Sequence, residues 1–146
     1  MKIDTSRFGP VTIEADDVIR FAKGLMGLED CRDWVLLADT GSDAFAWLQS
    51  VDRPEVALVV ASPRRFLPDY QLRVTRHELE PLLLDEVKSA RILVVVGKTE
   101  HSMTLNLKAP LVVNLERRLG RQVIDIGDTP ARYELGIAPP TLKKSA

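Results

Sequence analysis

Apolar residues fall on alternate positions in short runs, with turn-forming residues between the runs. The clearest case is the stretch through Leu105, Leu107, Ala109, Leu111, Val113 and Leu115, all on odd positions, which is the period of a strand with one buried face. The even positions between them hold Thr104, Asn106, Lys108, Pro110 and Asn114. Asn and Pro are depleted in strands, so two asparagines and a proline on one parity need a reason beyond solubility. Two readings stay open. One is a hairpin turning at Lys108-Ala109-Pro110, with Asn106 and Asn114 bonding nearby backbone. The other is a shaped polar surface presented to a partner by a stiff strand.

Further runs predict strands at residues 11–13, 34–38, 45–50, 91–96, 103–107, 111–115, 122–126 and 133–137. Residues 56–61 are continuous and β-branched, as in a strand buried on both faces. Residues 39–43, Asp-Thr-Gly-Ser-Asp, form a loop between two of the runs. Helix is scarce. Thr75 and Glu78 have the spacing of a capping box, and Pro81 then ends or kinks the helix, leaving Leu82-Leu83-Leu84 to pack on the barrel. A second helical turn is expected over residues 16–21. Short, mostly antiparallel strands at this density predict a mainly β, barrel-like single domain over residues 1–138. Pro139-Pro140 closes the domain, and residues 139–146 are expected to be a flexible tail.

The chain has 146 residues, 45% hydrophobic and 28% charged, as in an ordinary globular domain. Aromatics are only 5%, so Val, Leu, Ile and Ala must build most of the core. The net charge of −1 lacks the basic excess that phosphate neutralisation needs, which argues against direct nucleic-acid binding. A lone cysteine, Cys31, excludes an internal disulfide and fits a reducing, cytoplasmic setting. The apolar runs are too short to span a membrane.

Catalytic chemistry finds no purchase. Asp16-Asp17 and Glu29-Asp30 are neighbours that point apart in extended chain, and His77 and His101 have no metal-ligand spacing. No nucleophile elbow surrounds Ser50 or Ser62. Gly24-Leu25-Met26-Gly27 is not a phosphate loop; its glycines suit a turn with positive φ. No cofactor is expected. Phe45 and Trp47 share one strand face with Gln49, which places that face at a polar boundary. A Trp there can belong to the core or anchor a partner. Glu78, Glu80, Asp85 and Glu86 form the densest acidic cluster.

Four motifs carry a family resemblance: residues 24–29 (Gly-Leu-Met-Gly-Leu-Glu), 45–50 (Phe-Ala-Trp-Leu-Gln-Ser), 104–114 (Thr-Leu-Asn-Leu-Lys-Ala-Pro-Leu-Val-Val-Asn) and 120–124 (Gly-Arg-Gln-Val-Ile). In order and separation they resemble the bacterial flagellar assembly factor FliW over residues 8–126. Met26 and Leu28 stand where the family often has Pro and Phe, and the segment around Tyr133 matches less closely. The resemblance implies a monomeric, non-enzymatic cytoplasmic protein that binds flagellin as a chaperone. It also implies antagonism of the translational repressor CsrA, so that free flagellin limits its own translation. Candidate contacts are Trp47, Gln49, Asn106, Lys108, Pro110 and Asn114 for a flagellin helix. The acidic residues Glu78, Glu80, Asp85 and Glu86 are the candidates for the basic repressor. Two other classes stay open: a small-molecule-binding barrel, which needs a deep polar pocket, and an RNA-binding barrel, which needs aromatics on a basic face.

Overall fold

The computed structural model describes residues 1–136; the expected tail and the last position of the 133–137 run, Ile137, lie outside the described residues. Among the described residues eleven strands appear in chain order: β1 (Lys2–Thr5), β2 (Gly9–Thr12), β3 (Ile19–Phe21), β4 (Asp33–Ala38), β5 (Ala46–Ser50), β6 (Ala57–Ala61), β7 (Arg91–Lys98), β8 (Met103–Leu105), β9 (Leu111–Asn114), β10 (Leu119–Gln122) and β11 (Tyr133–Glu134). The one α-helix among the described residues, α1, is Arg76–Leu79. Seven strands close on themselves in the order β7-β6-β5-β4-β3-β10-β9, because β9 pairs back onto β7. All these pairings are antiparallel except β3 with β10. The expectation of a mainly β barrel is met, and closure removes the free edges that an open sheet would present.

The lumen is solid. Ile19, Phe21, Trp34, Leu48, Val60 and Leu111 point into it, each at most 1% exposed. Gly120 faces the same space; a Cβ there would lie 2.4 Å from Phe21 Cζ, so the Phe21 ring occupies the room that a side chain at 120 would need. A filled lumen leaves no place inside the barrel for a small molecule.

Outside the barrel, other layers cover most strands on their second face, which is why so many runs read as continuously apolar. The β1–β2 hairpin packs Ile3 and Ile13 on Val35. β8 and β11 cover another side through Leu105, Val94, Tyr133 and Leu135. The chain between β6 and β7 covers a third side, with Leu82 against Val112 and Val123.

The hairpin expected to turn at 108–110 does not form. β8 and β9 do not pair with each other; both run along β7, with Val96 opposite Leu105 and Leu93 opposite Leu111. Between these pairs β7 spans residues 94–95 and the facing arm spans 106–110, so the arm carries a wide bulge. The bulge shifts the register by an odd number of residues. Leu105 and Leu107 therefore pack in the outer layer, whereas Leu111 and Val113 enter the lumen. The odd positions that read as one buried face occupy two.

Other local expectations also shift. Residues 15–17 form a 3₁₀ turn, but residues 19–21 are strand β3, because Phe21 and Ile19 are needed in the lumen. Beyond β10, residues 123–125 still bond the bulge: Val123 N–H donates to Pro110 O (3.0 Å) and Asp125 N–H to Lys108 O (2.8 Å).

Candidate functional site

The motif residues act first on backbone. Asn106 Oδ1 accepts the Ala109 N–H (3.1 Å), Lys108 Nζ donates to Gly127 O (2.9 Å), and Pro110 is buried. Gln122 joins two motifs: its Oε1 accepts Met26 N–H (2.7 Å) while its Nε2 donates to Ala109 O (3.0 Å). The Gly24–Gly27 loop it holds has positive φ at both glycines, and a Cβ at Gly24 would stand 2.5 Å from Leu28 O. Gln49 is fully buried and donates to Ser50 O (3.0 Å), Pro54 O (3.2 Å) and Val56 O (3.1 Å), closing the turn between β5 and β6. Trp47 is buried too. Phe8 meets its ring edge-on at 5.6 Å, the Arg7 guanidinium lies over it at 4.3 Å, and its Nε1 donates to Asp39 (3.4 Å).

Asn114 reaches furthest. From the end of β9 its Nδ2 donates to Leu82 O (2.9 Å) and Leu83 O (3.4 Å), while its Oδ1 accepts the N–H groups of Glu116 (3.1 Å) and Arg117 (3.2 Å). One buried amide thus forms the β9–β10 turn and grips the segment after α1. That segment obeys Pro81: α1 stops at Leu79, a 3₁₀ turn covers Glu80–Leu82, and Leu83 caps it in the left-handed region (φ 54, ψ 39). For a leucine this conformation costs about 1 kcal/mol. The capping box at Thr75 does not form. Thr75 makes no side-chain cap bond; the Glu78 N–H donates to Thr75 O (3.1 Å) instead, and the Glu78 carboxylate turns to Arg121 on β10 (3.3 Å). Of the three leucines, Leu82 is buried but Leu83 is 55% exposed, since successive residues of a tight turn cannot all face one surface.

These constraints open a groove of about 1130 Å³ on the outside of the barrel, between the two arms of the β6–β7 connection. Leu72, Val74, Leu79, Leu84, Ile92 and Val112 give it an apolar lining. Exposed Leu83 and Val87 also line it, as do the charged residues Arg76, Arg91, Glu80 and Asp85. Of the acidic candidates, Glu80 pairs with His77 (3.3 Å), Glu86 with Lys88 (3.4 Å) and Glu78 with Arg121. Asp85 is exposed. The groove could not be read from the sequence; its one signal was the run of three leucines after a helix-ending proline.

A smaller cavity, about 470 Å³, lies where residues 67–73 meet 125–129. The Tyr70 hydroxyl is pushed up to about 12, first by burial and then by the negative charge of Asp125. Because the folded chain holds this proton more tightly, its contribution is complete below the ordinary value of 10.0 and is lost as pH rises towards 12. Urea unfolding at pH 9 and pH 11.5 should show this loss in the wild type and a smaller one in Tyr70→Phe.

Among the described residues, no group of three or more His, Cys, Asp or Glu is arranged to hold a metal. No helix among them is long and apolar enough to cross a membrane.

Comparison with known proteins agrees with this arrangement. The sequence profile of the FliW protein family matches residues 2–135. The flagellar assembly factor FliW of Bdellovibrio bacteriovorus is 43% identical over 126 residues, covering 85% of this chain and 72% of that protein. Its counterpart in Caldanaerobacter subterraneus subsp. tengcongensis is 37% identical over 127 residues, covering 85% of each. A crystal structure of the flagellar assembly factor FliW superposes with a TM-score of 0.84 at 30% identity, covering 92% of this chain and 96% of that one. With its profile matched from β1 to β11 and its barrel superposed almost end to end, this chain belongs to the FliW family of flagellar assembly factors.

Proposed function

We propose that this chain binds flagellin in the cytoplasm as a chaperone and antagonises the translational repressor CsrA, coupling the level of free flagellin to its translation. It works by binding, as a monomer, and contacts no nucleic acid itself. The observation that carries this reading is the groove between the arms of the β6–β7 connection, which has an apolar floor, an exposed leucine in its lining and acidic residues along one arm. An amphipathic helix of unassembled flagellin must cover its apolar face, and an apolar groove with charged rims does that. Leu83 and Val87 supply the anchors, and Arg76 and Arg91 suit carboxylates flanking the helix stripe.

The acidic residues Glu78, Glu80, Asp85 and Glu86 face a basic repressor from the same arm. Flagellin and CsrA therefore compete, because each needs one side of residues 78–88. Trp47, Gln49, Asn106, Lys108, Pro110 and Asn114 contribute by shaping the barrel and its loops, their side chains being engaged within the protein. The steering of CsrA by four carboxylates should weaken with salt, since the Debye length is about 8 Å at physiological ionic strength.

Calorimetric titration against CsrA, repeated with flagellin present, tests the reading. Saturable binding that flagellin abolishes is expected; no binding to either partner, or full binding of both together, would overturn it. Leu83→Asn separates the surfaces. Asn tolerates the left-handed conformation, so stability should stay within about 0.5 kcal/mol. Flagellin affinity should fall about tenfold, the equivalent of about 1.4 kcal/mol of lost apolar burial. CsrA binding without flagellin should change little.

A further inference from the structure

The cavity between residues 67–73 and 125–129 has a composition that folding alone does not explain. The Tyr70 side chain is 7% exposed, and its hydroxyl is buried without a hydrogen-bond partner. Thr129 Oγ1 is likewise buried and unpartnered. Both residues line the cavity together with Asp125, whose side chain is completely buried. The Asp125 carboxylate is held in place by backbone alone: Oδ1 accepts Gly127 N–H (2.6 Å) and Oδ2 accepts Arg73 N–H (3.4 Å). Each oxygen keeps lone-pair capacity beyond these bonds. An unpaired buried hydroxyl carries a desolvation cost, so two beside a buried carboxylate point to something that completes them.

Charge and size narrow the occupant. The lining carries Asp69, Asp125 and Asp128 against Arg73. Lys108, whose Nζ donates to Gly127 O, is not part of the lining. An anion would meet three carboxylates, whereas a cation finds acceptors at Asp125, Tyr70 and Thr129 and an aromatic ring beside them. About 470 Å³ is many times the roughly 30 Å³ that one water occupies, and suffices for a guanidinium or ammonium head with its alkyl stem.

We propose that this cavity is a binding site for a compact organic cation, an alkylguanidinium or alkylammonium group. Its lining shares Tyr70 and Gln71 with the groove assigned to flagellin, whereas Asp125 and Thr129 belong to this cavity and not to the groove, so the proposal does not rest on the flagellin reading. Such a head can come from a basic side chain of a partner protein or from a free amine.

The test is a ¹H–¹⁵N titration of the whole chain with ethylguanidinium chloride, with a blocked arginine-containing peptide and with the same peptide carrying citrulline. Saturable shifts confined to the amides of Gly127, Thr129 and their neighbours are expected with the two cations and not with citrulline. Tighter binding of the arginine peptide assigns the site to a protein side chain; tighter binding of the free cation assigns it to a small amine. Shifts that never saturate, or that spread over the surface, overturn the proposal. Tyr70→Phe makes the decision independent of fold. The variant should keep or raise its Tm, having lost an unpaired hydroxyl, while its affinity for the probe falls at least tenfold. A lower Tm with probe binding unchanged would mean that the hydroxyl serves only the fold, and the proposal fails.

Discussion

Gly120→Ala should cost about 3 kcal/mol of stability, at the upper end of what one added methyl does in a packed core. The added carbon would lie 2.4 Å from Cζ of Phe21 and 2.6 Å from each Cε, distances that real Cβ atoms do not reach. Relief is blocked on both sides. Gly120 and Phe21 are register partners in the parallel pairing of β10 with β3, so the backbones cannot separate without opening the barrel. The Phe21 ring is fully buried, packed in the lumen with residues such as Trp34 and Leu111. Urea unfolding should show a lower midpoint at unchanged slope, with Tm falling by roughly 10 °C. Phe21→Leu supplies the control. Alone it leaves a void, but combined with Gly120→Ala it makes room for the methyl, so the double variant should be more stable than the sum of the singles by at least about 1 kcal/mol. Strict additivity would show that the ring is not what excludes a side chain from position 120.

Asn114→Ala should cost a similar amount, about 3 kcal/mol, and should also impair partner binding. The amide makes four bonds in two directions, and its removal leaves Leu82 O buried with no replacement donor while the β9–β10 turn loses two acceptor contacts. The segment that carries Leu83 is then free to leave the left-handed conformation it holds at a cost. Hydrogen exchange at residues 82–84 should speed up well beyond the global change, and flagellin affinity should fall at least as far as in Leu83→Asn. Asn114→Asp keeps the acceptor for Glu116 and Arg117 but turns a carboxylate towards two carbonyls, so it should be no better than alanine. A stability loss below about 1 kcal/mol with unchanged exchange would show that Asn114 does not hold the groove's arm.

Asn106 and Asn114 show why the same residues read ambiguously in the sequence. Polar residues on a strand parity are compatible with solvent, with a partner or with internal backbone, and spacing does not distinguish these. In the fold both amides bond backbone, one inside the bulge and one across to Leu82. Gln49 is a parallel case. Its place on the aromatic face marked a polar boundary, and that boundary is the set of carbonyls closing the turn after β5.

What the sequence determined by itself were the features that depend on neighbours in the chain. Alternation, turn residues and scarce helix signals sufficed for a mainly β barrel, the stop at Pro81 and the positive-φ glycines at 24 and 27, because each follows from local sterics and period. The motifs carried the family. Pairing across the chain was decided only by tertiary structure. β3 became a strand because the lumen needed Ile19 and Phe21, and the 103–114 arm split between two layers because a bulge at 106–110 changed its register against β7. The groove and the Tyr70–Asp125 cavity depend on that closure, since both bring together segments far apart in sequence. Local rules fix what a residue prefers; which of several compatible partners it meets is set by the single packing that fills the lumen and satisfies the buried polar groups around it.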